Sequence, residues 1–88
     1  MKHFSLVFKS DYGHTRKIAV IDALNESGQP KSDEEVCQEA ISLINAFCEE
    51  RHFKIYYTRI WNHDNTTIFD VGSHTEFFHL TPKIVFDN

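Results

Sequence analysis

Between residues 32 and 52 the chain reads SDEEVCQEAISLINAFCEERH, and this stretch constrains the fold more than any other. Apolar residues fall at Val36, Cys37, Ala40, Ile41, Leu43, Ile44, Phe47 and Cys48, the i, i+3, i+4 steps of one broad helical stripe. Glu34, Gln38, Glu39, Ser42, Asn45, Glu49 and Glu50 fall on the wet side. Ser32 with Glu35 three positions on makes a capping box. Asp33, Glu34 and Glu35 face the positive end of the helix dipole, and Arg51 and His52 suit its negative end. A single helix with one apolar stripe has to bury that stripe against another layer.

The rest of the chain supplies that layer as strands. HFSLVFKS alternates, with Phe4, Leu6 and Phe8 on one side and Ser5, Val7 and Lys9 on the other, which is the period of a half-buried strand. SDYGHT is a turn with Gly13 available for positive φ. RKIAVIDAL follows as a second strand, apolar enough to be buried on both faces, and the short connection makes the pair an antiparallel hairpin. After the helix, FKIYYTRIWNH returns to strand character, NHDNTT turns, and TTIFDV pairs back. TEFFHL reads either as a fifth short strand or as a continuation beyond a bend at Gly72. The tail TPKIVFDN adds an edge strand, with Pro82 tolerated at its start. The expected class is therefore α+β: a ββαββ(β) antiparallel or mixed sheet, one amphipathic helix on one face, residues 1–88 forming one domain. A β-grasp-like arrangement with the terminal hairpins side by side is one solution, and a meander with the helix inserted is the other.

Charge and size narrow the function. Thirteen acids against nine Lys and Arg give a net charge of −4. Phosphate neutralisation supplies most nucleic-acid affinity, so this balance disfavours a nucleic acid as direct ligand. No apolar run approaches the roughly 18 residues of a membrane span, and MKHFSLVFKSDYGH alternates without a small-residue cleavage site. Cytoplasmic residence is expected, with Cys37 and Cys48 reduced. Eleven residues along a helix place those cysteines about 16 Å apart, beyond the roughly 7 Å that a disulfide tolerates. Both fall in the apolar stripe, where free cysteine packs as a small hydrophobe.

No catalytic constellation emerges. His74 and Glu76 share a strand face but His79 points to the other, so HTEFFH does not converge on a metal. Phosphate-cradling and nucleophile-elbow motifs are absent. Neither an enzyme nor a cofactor or metal is expected. The aromatic set Tyr56, Tyr57, Trp61, Phe77 and Phe78 is the stronger lead. Neighbours on a strand face opposite ways, so each adjacent pair sends one ring toward the helix and one away. A sheet face without a helix that exposes such rings reads as an interface. The acidic helix side, with Glu35 and Glu39, adds a charged surface for a basic partner. A protein partner is expected, with a homodimer through the sheet face as the economical version and single-stranded bases on the same rings as the alternative.

The run TIFDVGSHTEFFHL resembles endings of small uncharacterised proteins from phages and integrative elements of Gram-positive bacteria, in which a strand runs into D-[FV]-G-S-x-x-x-F-[FY]. Asp70, Val71, Gly72, Ser73, Phe77 and Phe78 carry the likeness, over about a sixth of the chain. The resemblance implies an accessory protein that binds and modulates a host or element-encoded protein, anti-CRISPR proteins among them. It brings over no catalytic residues.

Overall fold

A computed structural model describes residues 2–10, 13–73 and 75–84 of the chain. The elements are β1 (Lys2–Ser10), β2 (Thr15–Asp22), α1 (Asp33–Glu50), β3 (Arg59–His63), β4 (Thr66–Asp70) and β5 (Glu76–Ile84). The strands form one sheet in the order β2-β1-β5-β4-β3, and every pairing is antiparallel. The two hairpins, β1–β2 and β3–β4, do not lie side by side: β5 stands between them. The sheet is not mixed either, and its first and last strands are antiparallel neighbours at the centre. The arrangement thus departs from the β-grasp expectation.

The helix follows its sequence signals closely. Ser32 caps it, its side chain accepting from the Glu35 N–H at 3.1 Å while the Glu35 carboxylate accepts from the Ser32 N–H at 3.2 Å. At the other end, Phe53 N–H donates to Cys48 C=O at 2.8 Å and His52 N–H to Glu49 C=O at 3.2 Å. These two bonds make a Schellman ending, with His52 at φ 60 where glycine is usual. Phe53 completes it by packing on Phe47, ring centroids 6.3 Å apart.

Strand register explains the core. Phe4, Leu6 and Phe8 lie opposite Pro82, Leu80 and Phe78, and Phe78 lies opposite Phe69 on its other side. This face meets the stripe of α1, so Leu6, Ile21, Phe69, Phe78 and Leu80 pack with Val36, Ala40, Ile44, Phe47 and Cys48. Phe8, Phe47 and Phe78 meet ring to ring at centroid distances of 5.3 to 5.7 Å. Each ring removed from water contributes about 1.5–3 kcal/mol. Both cysteines are free, Cys48 buried and Cys37 half-buried. Burial and then Glu34 push the Cys37 thiol pKa up; burial and then Glu76 do the same at Cys48.

Three segments differ from the sequence expectation. β2 is an edge strand, not one buried on both faces: Val20 is exposed, and a bulge between Leu6 and Val7 leaves Ile18 as an extra residue against the core. Residues 53–58 form an irregular segment, so β3 starts only at Arg59. β5 runs unbroken from Glu76 to Ile84 and is central, so among the described residues the tail makes no separate edge strand, and residues 85–88 of that expectation lie outside them. Pro82 sits inside it, past the stretch that β4 covers, where a missing N–H costs no bond on that side.

Candidate functional site

The sheet face opposite α1 is built from the alternate residues of the same strands. Register sets Val7 beside His79, His79 beside Ile68, and Ile68 beside Trp61, one row across four strands. Phe77 adjoins this row and meets Trp61 edge-on, centroids 6.3 Å apart. Trp61 is 37% exposed, and the Arg59 guanidinium lies 5.3 Å over its ring. Among the described residues no helix or strand packs on this face. Burial, and then Lys9 beside it, lowers the His79 pKa below the ordinary imidazole value.

The end of β4 fixes the far corner. Asp70 is buried and accepts from Arg59 Nη2 at 3.0 Å and from the Gly72 N–H at 2.9 Å. Gly72 takes φ 94, and a Cβ placed on it would lie 2.7 Å from Tyr56 Cβ. The chain thereby turns out of β4 and lets residues 53–58 pass directly over it. Tyr56 N–H donates to Val71 C=O at 3.0 Å and holds that crossing in place.

The crossing makes a cleft at the C-terminal end of α1, on the helix side of the sheet. Cys48, Val71 and Phe78 form its floor, and Phe53, Tyr56 and Tyr57 stand around it, with a volume of about 600 Å³. Lys54 Nζ lies 4.9 Å over the Tyr56 ring.

The residues expected at an interface are thus dispersed. Trp61 and Phe77 come together on the uncovered sheet face. Tyr56 and Tyr57 do not straddle a sheet; both stand in the cleft wall, 67% and 50% exposed. Phe78 is core and reaches the surface only as part of the cleft floor. Glu35 is held in the capping box, and Glu39 pairs with Lys31 at 2.8 Å. Both carboxylates of the acidic lead thus already have partners. Ile68, Val7 and His79 escaped the sequence reading because only cross-strand register sets them beside Trp61. His74 lies outside the described residues. Among the described residues no group of three His, Cys, Asp or Glu gathers as metal ligands would, and no helix is long and apolar enough to cross a membrane.

Comparisons of the chain with protein-family models, with curated proteins and with solved structures find no match.

Proposed function

We propose that this domain is a protein-binding module that acts by occluding its partner rather than by catalysis, and that it docks through the sheet face opposite α1. The observation that carries this is the uncovered row Val7–His79–Ile68–Trp61 with Phe77 beside it. A tryptophan flanked by an arginine and a second ring, surrounded by half-buried aliphatic side chains, is the composition of an interface anchor and its dry surround. The likeness of the C-terminal run to phage and integrative-element proteins adds a partner class: a host or element-encoded protein such as a defence nuclease. Affinity capture with Trp61→Ala and Phe77→Ala tests the surface, with Glu35→Lys and Glu39→Lys as the comparison. Loss of capture with the sheet variants and retention with the helix variants supports the reading. Equal retention in all four removes the sheet face as the docking surface. Light scattering across a concentration series identifies a second copy of the chain as the partner.

Charge placement favours one second reading. α1 holds six of the thirteen acids, Asp33, Glu34, Glu35, Glu39, Glu49 and Glu50, and no Lys or Arg. The remaining seven acids face nine Lys and Arg, and Lys9, Lys17 and Arg59 lie on the uncovered face by register, with Asp22 and the Arg59-paired Asp70 as its acids. The net charge thus understates how basic this face is, and single-stranded nucleic acid would find cations beside stacking rings. Two phosphate contacts, at Lys9 and Lys17, predict a log–log salt slope of about −1.4. A gel shift absent even at low salt excludes it.

A further inference from the structure

A second hollow of about 430 Å³ adjoins the cleft at the end of α1, and Phe8, Phe53 and Glu76 line both. Each volume falls within the roughly 300–1,000 Å³ of small-molecule sites. The chain as a whole is acidic, yet the cations lining this double cleft, Arg16, Arg51 and Lys54, outnumber its single carboxylate, Glu76. Arg16 and Arg51 make no ion pair among the described residues. Arg51 lies 5.2 Å over the Phe47 ring, a stacking that leaves the edge of a guanidinium free to donate outward. Three exposed rings, Phe53, Tyr56 and Tyr57, stand at the other side.

We propose that this double cleft binds a small aromatic anion, with its phosphate or carboxylate held by Arg16 and Arg51 and its ring seated against Phe53 and Tyr57. Two guanidiniums lining one hollow suit such a group because each can donate two parallel charge-assisted bonds to its oxygens. Flat rings suit the other half because an aromatic guest keeps its stacking whatever its substituents. Glu76 stands between the halves. Its charge reaches the floor, where it helps raise the Cys48 pKa. It favours guests with an amino or hydroxyl donor near the middle and repels those carrying a second anionic group there. The wall is set before any guest arrives, since Gly72 and the Tyr56–Val71 hydrogen bond hold residues 53–58 across the cleft.

The test is a titration of the chain with phenyl phosphate, adenosine monophosphate, adenosine and inorganic phosphate, followed by backbone amide chemical shifts. The two phosphate-bearing rings should saturate with shifts at Phe53, Gly72, Ser73 and Glu76, and bind at least about tenfold tighter than adenosine or inorganic phosphate. Arg16→Ala, on an exposed edge-strand position, should remove most of that advantage while leaving adenosine unchanged. Tyr57→Ala should weaken both rings and leave inorganic phosphate unchanged. Circular dichroism establishes that each variant is folded. No saturable shift up to about 10 mM, equal affinity for adenosine and its monophosphate, or an unaltered Arg16→Ala profile would each overturn the proposal.

Discussion

Replacing Gly72 by alanine tests how the cleft wall is held, and Gly28 provides an internal control. Both glycines have positive φ, 94 at Gly72 and 79 at Gly28. An L residue there costs about 1–2 kcal/mol, offset by roughly 0.4–1 kcal/mol from a less free unfolded chain. A Cβ at Gly28 meets nothing within 4 Å, so Gly28→Ala should cost only that balance, roughly 0–1.6 kcal/mol. At Gly72 the new Cβ would lie 2.7 Å from Tyr56 Cβ and 3.3 Å from Tyr57 Cε2. Carbon contacts are favourable only from about 3.5 Å, so residues 53–58 must lift by several tenths of an ångström. That movement stretches the Tyr56–Val71 hydrogen bond, worth about 1 kcal/mol, and overpacking of this kind costs about 1–3 kcal/mol. The total for Gly72→Ala is about 2–5.5 kcal/mol, a large share of the roughly 5–15 kcal/mol that a small domain has.

Urea unfolding of both variants measures this, provided the m-value is unchanged. The close contact is between two Cβ atoms. Tyr56→Ala therefore should not relieve it, whereas Tyr56→Gly should. In a double-mutant cycle Gly72→Ala and Tyr56→Gly should couple by about 1 kcal/mol or more. If Gly72→Ala costs no more than Gly28→Ala, or if Tyr56→Ala and Tyr56→Gly rescue alike, the close approach is not what requires glycine.

Three further outcomes follow. His52→Gly should stabilise by about 0.5–1 kcal/mol, raising Tm by roughly 3–8 °C, because it relieves a positive φ in the helix ending; a lower Tm would refute that role. His79 has a lowered pKa when folded, so the unfolded chain binds more protons as pH falls, and stability should decline from about pH 7 downward. His79→Gln should flatten that decline in urea midpoints between about pH 5 and 7.5, and an unchanged slope would exclude His79 as its source. Cys48 is buried and both thiols are held in the protonated form, so iodoacetamide should label Cys48 last. Rapid labelling of Cys48 in the folded chain at neutral pH would contradict its placement.

How far the fold was legible depended on how local its causes are. The α1 cap, its apolar stripe and the two faces of β1 are short-range patterns, and Ser32, Glu35, Phe4, Leu6 and Phe8 stand where those patterns put them. Strand order was not legible, because pairing Phe8 with Phe78 depends on packing across seventy residues rather than on either segment alone. Tyr56 and Tyr57 were misplaced for a related reason. Their β-propensity argues for a strand, but only a passing contact at Val71 and Gly72 gives them a hydrogen-bond partner. Of the surfaces, Trp61 and Phe77 were legible only as members of the aromatic set, since alternation sends one ring of the Phe77–Phe78 pair away from the helix and register alone decides which. The cleft could not, since Arg16, Arg51, Phe53 and Glu76 come from separate segments and none carries a local signal.

The central place of β5 bears on how the chain reaches its fold. The β1–β2 hairpin and the β3–β4 hairpin share no pairing, and each joins the sheet only through β5. The last of the described strands is therefore the keystone, and α1 has half a floor to lie on until it arrives. Long-range pairing of this sort is slow, because loop closure is set against folding before any contact rewards it. In the interval the chain is two separate hairpins beside a helix, with the inner edges of β1 and β4 open to other chains. A domain assembled in this order should refold slowly and lose yield as concentration rises, and its edges would then be most in need of a chaperone.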